Sequence, residues 1–203
     1  MTDGEAKQPA ECLRRLQVDT RSVLSRWTPP TPQADAVRLR FLDLLDTQPD
    51  AARRDNPGAH LTASTLIVDH TADLVLLCLH GRMNKWVQLG GHCEEGDRTV
   101  AQAALREATE ESGISGLRLH PHPIDLDIHL VGCRYGPALH YDVRFAALAP
   151  PGAVEVASSE SHDLGWFAPD ALPAPLAGAT ERLVAPALRT ARILRAANHP
   201  RRS

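Results

Sequence analysis

The four cysteines, Cys12, Cys78, Cys93 and Cys133, are scattered and include no C-x-x-C pair. That spacing points away from a zinc site and fits a reducing, cytoplasmic setting. No apolar run approaches the roughly 18–20 residues needed to span a bilayer, so a membrane partner is not expected. The first residues are acidic and polar rather than basic and then apolar, so no secretory segment is read there. Charge of one sign is also missing: 22 Lys and Arg against 25 Asp and Glu give a formal net charge of -3, which does not advertise a nucleic-acid or membrane surface. No internal repeat is present. What remains is a chain of 203 residues, 43% hydrophobic, long enough for one main globular domain with additional elements.

Residues 1–58 read as an N-terminal helical extension. Leu13, Leu16, Val23 and Leu24 recur at near-helical spacing, and "ADAVRLRFLDLLDTQ" repeats the pattern after the break "TPPTP". Nine basic and nine acidic residues balance in this segment, which suits a packing or dimerisation element. After Asn56-Pro57-Gly58 the period changes. "LTASTLIVDHTADLVLLCLH" holds two β-rich runs around the turn-like "DHTAD", a predicted hairpin. "KWVQLGGH" leads to a glycine turn, and "TVAQAALREATEES" is a helix with the apolar stripe Val100, Ala104, Ala108.

Strands are predicted at "IDLDIHLVGC" and "LHYDVRFAALA". The second sets His140, Asp142 and Arg144 on a wet face against Tyr141, Val143 and Phe145. "APPGAVEVASSESHD" reads as a loop, "LGWF" as a short strand, and "ATERLVAPALRTARILRAA" as a helix interrupted near Pro186. The domain plan is therefore 1–58 helical extension, 59–175 main domain and 176–203 C-terminal helix packing on it.

The feature that needs an explanation is Glu107, Glu110 and Glu111. Residues three and four apart are neighbours on a helix, so these carboxylates form one surface and repel one another by a few tenths of a kcal/mol per pair. Arg106 can reach Glu110 but cannot neutralise all three, and hard divalent cations favour such oxygen ligands. Gly90 and Gly91 upstream let the backbone approach a ligand or metal closely, and Asp97 or Thr99 can cap the helix.

Gly91 to Ile114 resembles the signature of the Nudix hydrolases, G-x5-E-x7-R-E-U-x-E-E-x-G-U with U aliphatic. Arg106, Glu107, Glu110, Glu111, Gly113 and Ile114 fill the second half, with Ala108 at the aliphatic position. In the first half Asp97 replaces Glu, and one extra residue separates it from Arg106; an ungapped register would put Arg98 and His92 at the acidic and glycine positions instead. The resemblance covers roughly residues 60–170. It implies a Nudix-type α/β/α sandwich around a mixed β-sheet, Mg²⁺ or Mn²⁺ held by Glu107, Glu110, Glu111 and the Gly90 carbonyl, and Arg106 orienting the glutamates.

By the same resemblance a catalytic base is expected in a later loop, where Glu160 is the first choice, Asp163 the second, and Glu155 a further carboxylate. His92 is a candidate phosphate contact, with Cys93 beside it in the glycine loop. Trp86 could stack on a ring or belong to the core, Arg144 is a candidate substrate contact, and Trp166 and Phe167 are core. After Gly178, six arginines face one acid, with Arg189, Arg192 and Arg195 at helical spacing, read as a solvated face or as pairing with acidic residues of a second subunit rather than as an RNA surface. The implied activity is a metal-dependent pyrophosphohydrolase acting on a nucleotide-type diphosphate, a small-molecule partner, with homodimerisation expected. The alternative is a Nudix-like nucleotide-sensing module without catalysis. An isopentenyl diphosphate isomerase-like reading is weaker, since no cysteine and glutamate arrangement fits it.

Overall fold

The structure is a computed structural model that describes residues 7–133, 136–157 and 161–197. Two compact units share the chain: Met1–Ala63, Gly91–Ala104 and Asp125–Val143 make one, and Ser64–Gly90, Leu105–Ile124 and Arg144–Ser203 the other.

The first unit begins with α1 (Lys7–Arg26) and α2 (Pro32–Thr47). Leu16, Thr20 and Leu24 are fully buried at i, i+4 and i+8, the spacing that puts one stripe of a helix into a core. α2 starts at Thr31, whose hydroxyl accepts the Ala34 N–H at 3.1 Å, with Pro32 next, where a missing N–H costs nothing. The Gln17 amide locks the helix pair by donating to the carbonyls of Leu45 at 3.0 Å and Gln48 at 2.7 Å. Phe41, fully buried, meets Tyr141 edge to face at 5.0 Å.

The strands are β1 (Ala59–Val68), β2 (Val75–His80), β3 (Lys85–Val87), β4 (Leu89–His92), β5 (Arg118–Leu119), β6 (Asp125–Cys133), β7 (Gly136–Leu148) and β8 (Ser161–Phe167). They form one sheet with the path β3-β2-β1-β7-β5, onto which β4, β6 and β8 also pair. The predicted β1–β2 hairpin is present: Asp69 closes its turn by accepting the N–H groups of Asp73 at 2.8 Å and Leu74 at 2.7 Å. β2 pairs antiparallel with β1, β3 and β8, and β5 with β7. β1 and β7 run parallel, because Leu139 donates to Gly58 and Ala149 to Val68, so the pairing stays in step at both ends. The sheet is therefore mixed.

Within the second unit the period of two divides the sheet residues between two cores. Leu66, Val68, Val75, Leu77, Ala146 and Leu148 face α4 (Glu181–Ala197), which buries Leu183, Val184, Ala187, Leu188 and Ala191. Ile67, Leu76, Cys78, Ala147 and Ala149 face the other way, toward Leu105 and Ala108 of α3 (Val100–Ser112). Helices on both faces of the sheet are the expected α/β/α arrangement.

Three expectations change. Gly90 and Gly91 lie in β4 rather than in a turn; the loop follows at residues 93–99. α4 runs unbroken through Pro186, because one lost ladder hydrogen bond is outweighed by the buried stripe on either side of it. Asp142 and Arg144 are buried at 3% exposure each, so that face of β7 is not wet. Asp142 accepts from the Thr62 hydroxyl at 3.4 Å, and Arg144 donates to the Ala179 carbonyl at 3.5 Å; alternation reports which residues share a face, not whether another element covers it.

Candidate active site and a histidine cluster

α3 carries the carboxylates, and both of its ends are fixed. At its start the Thr99 hydroxyl accepts the Gln102 N–H and Asp19 of α1 accepts the Val100 N–H, each at 3.1 Å. At its end Gly113 has φ +68°, and a Cβ there would lie 2.9 Å from the Val156 Cβ, so only glycine fits without displacement. The Val156 N–H also donates to the Ser112 carbonyl at 2.8 Å.

Arg106 Nη1 donates to Glu107 Oε1 and to Glu110 Oε2, both at 3.0 Å. Glu111 points elsewhere: its Oε2 accepts the Gly90 N–H at 2.7 Å. Gly90 has φ +154°, a backbone setting that side chains rarely adopt. The Glu107 side chain is 15% exposed and that of Glu110 59% exposed, so the cluster grades from protein into water. The ligand atoms these three carboxylates offer are all oxygen, which suits a hard divalent cation of the Mg²⁺ or Mn²⁺ kind.

The other predicted residues separate from this group by their partners. The Trp86 ring packs edge-on against Phe167 at 4.9 Å, and its backbone bonds Pro175 and Ala177. Glu155 accepts the Trp166 indole N–H at 2.8 Å, and Asp163 accepts the N–H of its neighbour Leu164 at 2.8 Å. Glu160 lies outside the described residues. Cys93 is buried. Arg195 donates to the Thr71 carbonyl at the β1–β2 turn.

His92 belongs to a group the sequence does not announce. In the first unit, His60 of β1, His92 of β4 and His140 of β7 bring one ring nitrogen each to within 4.8 Å of one another. His92 Nε2 and His60 Nε2 are 3.2 Å apart, and His60 Nδ1 is 3.3 Å from the Asn56 carbonyl. A carbonyl only accepts, so Nδ1 of His60 carries the proton and its Nε2 presents a lone pair to His92. Burial, then the neighbouring His60, pushes His92 down to about 4. Burial, followed by His92 and His60, pushes His140 down to about 3, and burial also lowers His60. All three rings are neutral at pH 7. His129, held to Asp127 at 2.8 Å, stacks edge-on to His140 at 5.7 Å.

Comparison with known families gives a match of residues 58–188 to the NUDIX domain, more than half of the chain. The chain belongs to the Nudix family. A hydrolase of the NUDIX family from Clostridium perfringens superposes with TM-score 0.50 at 26% identity, covering 66% of this chain and 97% of that one. The NUDIX domain of Shewanella oneidensis NrtR complexed with ADP ribose superposes with TM-score 0.51 at 20% identity, covering 64% and 86% of the two chains. The MutT NUDIX hydrolase from Burkholderia pseudomallei matches with TM-score 0.47 at 26% identity, over 64% of this chain and 95% of that one. Among curated proteins no sequence match is found.

The departure in the first half of the Nudix box has a local account. Asp97 is buried, its carboxylate accepts the Glu94 N–H at 2.8 Å, and its own N–H donates to the Glu94 carbonyl at 2.9 Å. The turn Glu94–Asp97 thus closes on itself, leaving helix capping to Thr99. An extra residue is absorbed most easily in such a loop, ahead of a helix whose own start is capped independently.

Proposed function

We propose that this Nudix protein is a metal-dependent pyrophosphohydrolase that cleaves a diphosphate bond in a nucleoside diphosphate linked to another moiety, or in a nucleoside triphosphate. The supporting observation is the divided clasp on the glutamates: Arg106 holds Glu107 and Glu110 together while the Gly90 N–H holds Glu111. Glu107, Glu110, Glu111 and the Gly90 carbonyl would hold Mg²⁺ or Mn²⁺. Such an ion, when bound, neutralises phosphate oxygens and lowers the pKa of a bound water. Arg106 keeps two of the carboxylates from rotating away, and the amide of Gly90 fixes the third, so the oxygens are set before substrate arrives. The proton leaving water is assigned to a loop carboxylate, Glu160 first and Asp163 second.

The Nε2 atom of His92 faces His60 at 3.2 Å, so His92 is assigned to the histidine cluster rather than to a phosphate contact. Trp86 and Arg144 are assigned to packing, because the Trp86 ring meets Phe167 and Arg144 is buried, with the Ala179 carbonyl among its contacts. Among the described residues no helix is long and apolar enough to cross a membrane. A cytoplasmic homodimer, with residues 1–58 as its helical extension, completes this reading; light scattering of the full chain measures the dimer.

Phosphate release through a coupled phosphatase, from ADP-ribose, NADH, diadenosine polyphosphates, sugar nucleotides and nucleoside triphosphates, tests the activity. Turnover should need Mg²⁺ or Mn²⁺, stop with EDTA, and vanish in Glu110→Gln while the fold persists. Tight nucleotide binding with no metal-dependent product from a folded, metal-loaded chain would replace the hydrolase with a nucleotide sensor.

A further inference from the structure

We propose that His60, His92 and His140 form a site for a borderline divalent transition ion, Zn²⁺ in the first instance, chemically separate from the all-oxygen glutamate centre. Three imidazoles from three strands meet here, one from each of β1, β4 and β7, with their ligating atoms inside 4.8 Å. In a tetrahedral zinc site with Zn–N near 2.0–2.1 Å, ligand nitrogens stand about 3.3 Å apart. The His60 and His92 Nε2 atoms already stand 3.2 Å apart. To complete a tetrahedral set, the third nitrogen would have to close on this pair from within the 4.8 Å spread.

The outer layer supports the same chemistry. Metal-ligating imidazoles commonly donate their other N–H to a carbonyl or carboxylate, which fixes the tautomer and the ring plane. His60 does so toward the Asn56 carbonyl at 3.3 Å, which leaves Nε2 as the ligating atom. His60 is 1% exposed, and its rigid strand position sets one corner of the site. Imidazole nitrogen selects zinc-like ions, whereas carboxylate oxygen selects Mg²⁺ and Mn²⁺, so one chain can hold both classes at once. Three protein ligands leave a fourth position for water or a ligand group, as in zinc sites that are not purely structural.

The test uses the full chain, stripped with EDTA and returned to excess Mg²⁺ so that oxygen sites are filled. Zinc affinity is then read by competition with a chromogenic chelator, with folding checked by circular dichroism. One zinc per chain is expected. Affinity should fall at least about tenfold in His140→Asn and in His92→Asn, and stay unchanged in the Glu107→Gln/Glu110→Gln double variant. Zinc binding lost with the glutamates but kept in the histidine variants, or no zinc binding by the wild type, overturns the proposal. Independently of any variant, histidine ring ¹⁵N spectra of the wild type should show three of the ten histidines moving on addition of one equivalent of Zn²⁺. Shifts confined to other histidines, or none, would overturn it equally.

Discussion

Replacing Glu111 separates its structural duty from its chemical one. In the wild type its carboxylate accepts the Gly90 N–H at 2.7 Å, a charge-assisted bond worth about 1.5–3 kcal/mol. Glu111→Gln keeps an acceptor worth about 1 kcal/mol and removes a like charge from Glu107, four residues earlier, which returns about 0.2–0.5 kcal/mol. The metal-free protein should therefore lose only about 0–1.8 kcal/mol. Glu111→Ala removes the acceptor altogether and should cost about 1.5–3 kcal/mol. Metal response follows a different rule. An ion bound only by the folded state adds about 2.7 kcal/mol at one hundred times its Kd, which for a chain of this size raises Tm by roughly 5–11 °C.

Thermal scans with EDTA and with Mg²⁺, alongside the phosphate-release assay, should show the wild type gaining that shift. Both Glu111 variants should lose most of it, together with turnover. Stability in EDTA should then distinguish Ala from Gln while activity does not. A Glu111→Gln protein that keeps the Mg²⁺ shift or wild-type turnover would refute the assignment of Glu111 as an ion ligand.

Leu183→Ala, at a fully buried position of α4, should cost about 3–5 kcal/mol in urea unfolding, since the sheet and helix cannot both collapse into the space. Gly113→Ala combines a left-handed backbone with a Cβ 2.9 Å from that of Val156, so denaturant titration should show a loss of about 2–4 kcal/mol and Mg²⁺-dependent turnover should fall with it. The histidine cluster adds a pH term. His92 and His140 are lowered in the folded state to about 4 and about 3, first by burial and then by neighbouring histidines, with Arg54 also acting on His92. The unfolded chain binds more protons between about pH 6.5 and those values, so stability should fall as pH drops through that window. Urea titrations of metal-free protein should show His140→Gln with a shallower fall than wild type; identical pH slopes would contradict the buried, neutral assignment.

The acidic centre was legible in the sequence because it is local. Arg106, Glu107, Glu110 and Glu111 lie within two turns of one helix, and helical periodicity fixes their neighbourhood wherever that helix is placed. The alternation of β7 was equally local, and the cap at Thr99 follows from the hydrogen-bonding chemistry of its side chain. What covers each face was not local. Asp142 and Arg144 read as exposed until Thr62 and Ala179 are brought beside them, and Pro186 reads as a break until the buried stripe of α4 holds the helix through it. Asp19 stands 81 residues before the Val100 N–H that it satisfies.

The histidines show the same division most clearly. His60 and His92 are 32 positions apart, on different strands, and no spacing rule connects them with each other or with His140. The sequence by itself determined the helix that carries the glutamates and the alternation of β7, because both depend on neighbours along the chain. Only the tertiary structure decided that three imidazoles meet, because strand pairing brings together residues that share nothing but a place in the sheet.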